Sequence, residues 1–162
     1  MPSFDIVSEV DHGELVNALN QARKELATRF DFKNSPAEIE EASPTVVKLA
    51  AADGSKLAGL LEIVIGRMAK RNIDLRNIDQ KDSAVSSMGR ATQELHIKQG
   101  LEGEKAKEVI KAIKEDAFKV QCSLQDRQIR VTGKKKDDLQ AVIQFVRSRD
   151  FGVSLAFKNF RE

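Results

Sequence analysis

The chain has no Trp and no Tyr, and all eight of its aromatic residues are Phe. The absence of Trp and Tyr therefore limits the aromatic side chains on which nucleobases could stack. Cys122 is the only cysteine, which excludes an internal disulfide, and one Cys with two His provides no zinc-ligand spacing. The longest apolar stretch, near Leu60 to Ile65, is interrupted by Glu62 and is too short to span a bilayer. Because the first residues also lack the pattern of a secretory signal, the sequence predicts a cytoplasmic protein with no metal, no cofactor and no membrane partner.

The charges nearly cancel. Among 162 residues there are 27 Lys and Arg against 25 Asp and Glu, which gives a net charge of +2. This balance provides no general attraction to polyanions, so any nucleic-acid site must come from local clustering of basic residues. The hydrophobic share of 41% is sufficient for a packed core.

The order of apolar patterns is repeated along the chain. Residues 1–89 and 90–162 each predict the order β-α-β-β-α-β, with a polar linker over Lys81–Arg90. A four-stranded antiparallel sheet with one apolar face needs two amphipathic helices to cover it. The predicted fold class is therefore α+β, with two ferredoxin-like sandwiches of the topology found in RNA-recognition modules, in which the uncovered sheet face binds bases.

The segment Arg29-Phe30-Asp31-Phe32-Lys33 alternates aromatic and charged residues. Period-2 alternation predicts a strand with both Phe side chains in the core and Arg29, Asp31 and Lys33 on the open face. These charged residues are candidates for ligand binding or for a surface ion-pair cluster. Phe at both inward positions argues against base stacking here.

The second sheet is predicted to have a polar, mildly basic and aromatic-free open face. Such a face suits hydrogen bonding to phosphate and sugar better than base stacking, and it equally suits a wet surface or a subunit interface. Its predicted members are Lys119, Gln121, Ser123, Arg130, Thr132, His96, Lys98 and Lys158.

A basic turn, Gly133-Lys134-Lys135-Lys136, precedes the last predicted helix. Free backbone N–H groups at a helix start can hold a phosphate, and lysines strengthen such a site. The spacing of a P-loop is absent, and Asp137 and Asp138 compete for the same helix end. A solvated basic turn is the alternative interpretation.

No catalytic constellation is apparent. Neither His12 nor His96 has a sequence-apparent nucleophile or carboxylate partner. Cys122 is in phase with Val120 and Leu124, which predicts a buried and inert thiol. The prediction is a binding protein without enzymatic activity.

Three stretches together resemble the bacterial YajQ-like family of nucleotide-binding proteins, and the resemblance covers essentially the whole chain. They are Met1 to Asp11 (MPSFDIVSEVD), Arg29 to Lys33 (RFDFK), and Lys119 to Gln121 (KVQ) followed by Ile129 to Gln140 (IRVTGKKKDDLQ). The resemblance implies two ferredoxin-like domains with exchanged first strands. Residues 1–9 would join the sheet of the second repeat, and residues 91–99 that of the first.

The resemblance also implies binding of a nucleotide or nucleic acid, association of some members with cyclic di-GMP, and no enzymatic activity. This chain departs from the family pattern at Asn34 and Asp126, where glycine is usual. Asn and Asp tolerate left-handed backbone angles, so we expect both turns to form.

Three functions remain open at this stage. The first is a nucleotide- or RNA-binding protein. The second is a cyclic di-GMP sensor that acts on a protein partner such as a transcription regulator, with Arg29, Arg71 and Arg130 as its candidate guanine contacts. The third is an interaction or chaperone-like protein that oligomerises through its sheet faces. The candidate nucleotide-binding residues are Arg29, Asp31, Lys33, Arg71, Lys98, Arg130, Lys134 and Lys135.

Overall fold

A computed structural model of the chain describes residues 1–116 and 118–162. The helices in this part are α1 (His12–Thr28), α2 (Gly54–Lys70), α3 (Gly103–Glu115) and α4 (Lys136–Arg147), with short 3₁₀ turns at Phe30–Phe32 and Leu75–Asn77. The strands are β1 (Ser3–Val7), β2 (Ala37–Ser43), β3 (Val46–Ala51), β4 (Ile78–Gln80), β5 (Ala84–Val85), β6 (Ala91–Ile97), β7 (Val120–Gln125), β8 (Gln128–Gly133) and β9 (Ala156–Arg161).

The chain forms two compact units. Residues 10–98 form one, called here the central unit, and residues 1–9 with 99–162 form the other, called the terminal unit. The sheet of the terminal unit has the order β7-β8-β1-β9, and β1 pairs antiparallel with both β8 and β9. The sheet of the central unit has the order β2-β3-β6-β4, with β5 also paired to β6.

Alternation along the strands separates the core of the terminal unit from its open face. Phe4 and Ile6 of β1 are fully buried and share a core with Ile129 and Val131 of β8. The inward stripes of α3 and α4 complete this core with Ala106, Val109, Ile113, Leu139, Val142, Ile143 and Val146. The intervening residues of β1 and β8 therefore project from the face that the helices do not cover.

The core of the central unit follows the same rule. Val47 and Leu49 of β3 and Leu95 of β6 are fully buried. They pack in one cluster with apolar residues of α1 and α2, which are Leu15, Leu19, Leu57, Leu60, Val64 and Met68. The α+β class and the pair of helix-covered sheets predicted from the sequence are confirmed.

Side-chain caps fix the start of both helices in the central unit. Asp11 accepts a hydrogen bond from the backbone N–H of Glu14 at 3.1 Å, and Asp53 accepts one from Lys56 at 2.8 Å. Each bond satisfies a backbone donor that has no partner inside the helix. The residue before α4, Lys135, makes no such side-chain capping bond. The backbone N–H of Asp138 bonds to the carbonyl of Lys135 at 3.1 Å, and the N–H groups of the two residues before Asp138 have no side-chain cap.

The predicted strand over residues 29–33 is wrong. Phe30–Phe32 is one 3₁₀ turn, closed by hydrogen bonds from the backbone N–H of Lys33 to Phe30 O (3.0 Å) and of Phe32 to Arg29 O (3.2 Å). Phe32 is 6% exposed and belongs to the core, whereas Phe30 is 86% exposed. The placement of both Phe rings in the core is therefore wrong for Phe30.

Smaller predictions also need correction. The segment over Lys81–Arg90 contains β5 rather than only a linker. His96 belongs to β6 of the central unit and Lys98 follows that strand, so neither joins the open face of the other sheet. The last strand begins at Ala156 rather than Val153, because Val153 packs in the core before the strand starts. Within residues 1–116 and 118–162, no helix combines the length and the apolar composition that crossing a bilayer requires.

Candidate functional site

The open face of the terminal sheet has two rows of polar side chains. Cross-strand pairing fixes these rows, because residues directly opposite one another in antiparallel strands project from the same face. The pairs are Gln121 with Thr132, Thr132 with Ser3, and Ser3 with Arg161 in one row, and Ser123 with Arg130, Arg130 with Asp5, and Asp5 with Lys158 in the other.

Asp5 lies at the centre of this face and organises the cations around it. Its carboxylate accepts hydrogen bonds from Arg130 Nε at 3.2 Å and Asn159 Nδ2 at 2.8 Å, and Arg161 Nη2 lies 3.4 Å away. Arg161 Nη1 also lies 3.4 Å from the hydroxyl of Ser3. The Asp5 side chain is only 2% exposed although it belongs to an open face, because these neighbours lie against it.

Burial alone would raise the pKa of Asp5, but the hydrogen bonds from Asn159, Arg130 and Arg161 outweigh that effect and leave the pKa below its ordinary value. Asp5 is therefore ionised at neutral pH. It holds two guanidinium groups that remain 38% and 45% exposed, for Arg130 and Arg161 respectively.

A cleft of about 490 Å³ lies at one end of the same sheet, beside the start of α4. Among the residues that the structure describes, three lysines of this cleft form no ion pair: Lys119, Lys134 and Lys135. Asp138 is the only carboxylate in its lining. We call this site the lysine cleft, and its lining is Met1, Phe118, Lys119, Val120, Gln121, Thr132, Gly133, Lys134, Lys135 and Asp138.

The lysine cleft combines several kinds of recognition chemistry. The lysine ammonium groups can attract phosphate, and the uncapped first turn of α4 adds backbone N–H donors. Gln121 and Thr132 provide an amide and a hydroxyl from the open sheet face. Phe118 provides the only aromatic ring of the lining, and its centroid lies 5.3 Å from that of the Phe145 ring. Cation, donor and ring thus meet in one site, which suits a phosphorylated aromatic ligand.

The open face of the central sheet has a different charge pattern. Its cations are already close to carboxylates: Arg90 to Glu38 at 3.3 Å and Lys81 to Asp79 at 2.7 Å. Lys48 is paired across the strands with Glu40 and with Glu94, and Glu94 contacts His96 at 2.9 Å. This face therefore offers little net attraction for a phosphate group.

The predicted charged trio of residues 29–33 is brought together, but mostly as an ion-pair network. Arg29 binds Asp31 through two bonds, at 2.9 and 3.0 Å, and reaches Glu25 at 3.3 Å. Glu25 also accepts from Arg67 at 2.8 Å. The hydrogen bond from Arg29 is the main cause that lowers the pKa of Asp31. Lys33 is outside this network and forms no ion pair within the described part of the chain.

The remaining candidates do not join either group. Arg71 follows α2 and lies 3.6 Å from the carboxylate of Glu14. Lys98 is exposed after β6, where its backbone N–H bonds to Asn77 O at 2.7 Å and its carbonyl accepts from Asn77 Nδ2 at 3.0 Å. Of the eight candidate residues, the structure places Lys134 and Lys135 in one cleft and puts Arg130 on the adjoining sheet face.

His12, His96 and Cys122 were the residues considered for catalysis, and their neighbours differ from those predicted. Each histidine contacts a glutamate, His12 with Glu41 and His96 with Glu94. Cys122 is partly buried, and burial raises the pKa of its thiol to about 11. Because the thiolate is the reactive form, this thiol is a poor nucleophile at neutral pH. Within residues 1–116 and 118–162, no group of three side chains is arranged to hold a metal ion.

Comparison with known proteins decides the family. The profile of the family described as "Nucleotide-binding protein YajQ-like" matches residues 2–161. The chain belongs to the YajQ-like family. Relatives named "Nucleotide-binding protein" are 48% identical in Aliivibrio fischeri, 45% in Bordetella avium and 43% in Anaeromyxobacter dehalogenans. Each match covers all of this chain and all of the relative.

The two departures from the YajQ-like pattern preserve their turns. Asn34 has φ of 61° and Asp126 has φ of 49°, so both adopt the left-handed region that glycine favours. The expectation that these turns form is confirmed.

The sequence predicts Arg130 and Lys158 on this face, but not Asp5 at its centre or the contacts from Asn159 and Arg161. The alternation of β1 indicates that Asp5 lies on the open face, but Asn159 and Arg161 lie more than 150 positions away along the chain. A charged residue at the centre of a buried strand was the available signal, because such a residue requires compensating partners.

Proposed function

We propose that this YajQ-like protein binds a nucleotide or a short nucleic acid in the terminal unit, without performing chemistry on it. The phosphate lies in the lysine cleft, at Lys119, Lys134 and Lys135, and the sugar or base contacts Gln121 and Thr132. The observation that carries the proposal is a cleft with one carboxylate and three lysines that form no ion pair in the part of the chain that the structure describes. The names of the relatives support the same class of ligand.

The asymmetry between the two open faces supports this choice of site. The central unit contains 13 Lys and Arg against 13 Asp and Glu, whereas the terminal unit contains 14 against 12. The excess is small, but on the open sheet face the cations that form no ion pair among the described residues lie at the lysine cleft, because the other cations of that face are held by Asp5 and Glu9. Local clustering, not net charge, would therefore produce the affinity.

Titration of a double variant, Lys134→Ala with Lys135→Ala, tests the site. Labelled GTP, cyclic di-GMP and a short single-stranded RNA are titrated in parallel at several salt concentrations. We expect the variant to bind more weakly and, for the RNA, to lose roughly 0.7 in the log–log salt slope for each phosphate contact removed. The control is Lys107→Ala with Lys111→Ala on α3, which removes the same charge from side chains that are 77% exposed.

The parallel ligands also decide between the functions left open by the sequence. Selective, tight response to cyclic di-GMP would identify a sensor, although its candidate residues Arg29, Arg71 and Arg130 are all engaged with carboxylates. Equal weakening of RNA binding in the double variant and its control would reject the lysine cleft. If none of the three ligands binds the unmodified protein, an interaction protein without a nucleotide ligand is the better account.

A further inference from the structure

The most exposed aromatic ring of the central unit belongs to Phe30. Its side chain is 86% exposed, although the neighbouring Phe32 is buried in the core. A single exposed apolar side chain is common at protein surfaces, so the argument for Phe30 rests on the cleft and the cations beside its ring.

The turn that presents this ring is held from several sides. Phe32 anchors it in the core, and Lys56 Nζ lies 5.4 Å from the centre of the Phe32 ring and bonds to the carbonyl of Asp31. Arg29 donates two hydrogen bonds to the carboxylate of Asp31, and Asn34, at the end of the segment, has a left-handed backbone conformation. The backbone under Phe30 is therefore pre-organised, which reduces the entropy lost on binding.

A cleft of about 600 Å³ adjoins Phe30. Its lining contains three cations, Arg23, Arg29 and Lys33, and no carboxylate. Arg23 donates to the carbonyl of Ile39 and Arg29 to Asp31, whereas Lys33 has no ion-pair partner among the described residues. Phe30 begins the 3₁₀ turn and Lys33 is the residue directly after it, and both line this cleft.

We propose that this cleft is a second binding site, for one nucleotide of a single-stranded nucleic acid. The base stacks on the exposed ring of Phe30, and the adjoining phosphate pairs with Lys33. Arg29 is already paired with Asp31, so the positive charge of this lining comes from Arg23 and Lys33, which form no ion pair among the described residues. Their charge favours a polyanion over an apolar protein segment. The ligand class rests on the proposed function, but the site is a different one and lies wholly within the central unit.

The absence of Trp and Tyr makes a direct test available. In a Phe30→Trp variant the new side chain is the only indole of the chain, and base stacking quenches its emission. The control is Met88→Trp, at a side chain of the same unit that is 93% exposed. Each variant is titrated with a single-stranded 12-mer, the same strand as a duplex, and an abasic oligomer with the same number of phosphates.

We expect the single strand to quench Phe30→Trp, the abasic oligomer and the duplex to leave it nearly unchanged, and Met88→Trp to respond to none of them. We also expect Phe30→Ala to weaken binding of the 12-mer at least about five-fold, from the stacking it loses. Equal quenching by the abasic oligomer would overturn the proposal, because that ligand has no base to stack.

Two further outcomes separate this inference from the proposed function. In the first outcome, the 12-mer binds the protein, the double variant Lys134→Ala with Lys135→Ala binds it more weakly, and the emission of Phe30→Trp is not quenched. This result rejects the second site and supports the lysine cleft. If Phe30→Trp is quenched although the lysine double variant binds normally, the second site is supported and the lysine cleft is rejected. A shift in emission with protein concentration, without nucleic acid, would overturn the inference in favour of contact between copies of the chain.

Discussion

Replacing Asp5 with Asn tests whether a single carboxylate stabilises the terminal sheet. The substitution conserves shape but removes the charge to which Arg130 and Arg161 are drawn. The amide oxygen can still accept the 2.8 Å bond from Asn159. The expected loss therefore comes mainly from the two arginine contacts.

The size of this loss follows from the geometry. Hydrogen bonds to charged groups stabilise a fold by about 1.5–3 kcal/mol each when both partners are shielded from water. Arg130 and Arg161 are each more than one-third exposed, so solvent screening reduces each contact to about 1 kcal/mol or less. We expect Asp5→Asn to lower the free energy of unfolding by about 1–2 kcal/mol at pH 7.

The pH dependence gives a second, independent signature. The pKa of Asp5 is lower in the folded protein than in the unfolded chain. Its contribution to the free energy of unfolding is therefore fully present above the unfolded pKa of about 4. This contribution is lost as the pH falls through the pKa of the folded protein. The difference between the unmodified protein and Asp5→Asn should therefore be constant near neutrality and shrink in acid.

Urea unfolding followed by circular dichroism at pH 7 and at successively lower pH measures both effects. Asp126→Asn is the matched control, because Asp126 is exposed, forms no ion pair in the described part of the terminal unit, and has a left-handed φ that Asn accepts. The reasoning is refuted if Asp5→Asn is as stable as Asp126→Asn at pH 7. It is also refuted if the deficit is undiminished in acid.

Three further predictions concern packing, reactivity and backbone strain. Phe32→Ala should lower the free energy of unfolding by about 3–5 kcal/mol, because it leaves a cavity in the core, whereas Phe30→Ala should change that free energy by less than about 0.5 kcal/mol. Chemical denaturation of both variants measures the two losses, and equal losses would contradict the prediction. Because burial raises the pKa of Cys122 to about 11, its reaction with a disulfide reagent at pH 7 should be well over ten-fold slower than that of a free thiol. Fast labelling of Cys122 in the native protein would contradict this prediction. Gly100→Ala should lower the free energy of unfolding by about 1–2 kcal/mol, since Gly100 has φ of 84° and a Cβ there would lie 2.8 Å from Arg127 Nε. Thermal unfolding measures this loss, and an unchanged midpoint temperature would contradict the prediction.

The elements with a long, regular pattern were predictable from the sequence. β1 alternates over its first four residues and β8 over six, and α2 has apolar residues at helical spacing over 17. These periods determine which side faces the core. The segment of residues 29–33 is too short for such a pattern to be decisive, since the same alternation allows a compact turn that the Arg29–Asp31 fork stabilises.

The candidate site was predictable only as a list of cations. A sequence shows that Arg29, Arg130 and Lys134 are basic, but not which of them is already neutralised. Arg29 and Arg130 prove to be engaged with carboxylates, whereas Lys134 is unpaired within the described residues. Availability depends on partners brought together by folding, and Asp5 shows that such a partner can be more than 120 positions away.

The two units show why a shared topology does not imply a shared ligand surface. The fold constrains the inward positions, where both sheets carry buried aliphatic residues such as Leu49 and Val131. Outward positions are free to differ, and they do: opposite charges alternate across the central sheet, while lysines without an ion pair among the described residues lie at one end of the terminal sheet. If the topology alone determined phosphate affinity, replacing the outward charged side chains would leave that affinity unchanged. If the outward side chains determine it, as their charges indicate, replacing the lysines of the terminal face should remove the phosphate affinity and leave the fold intact.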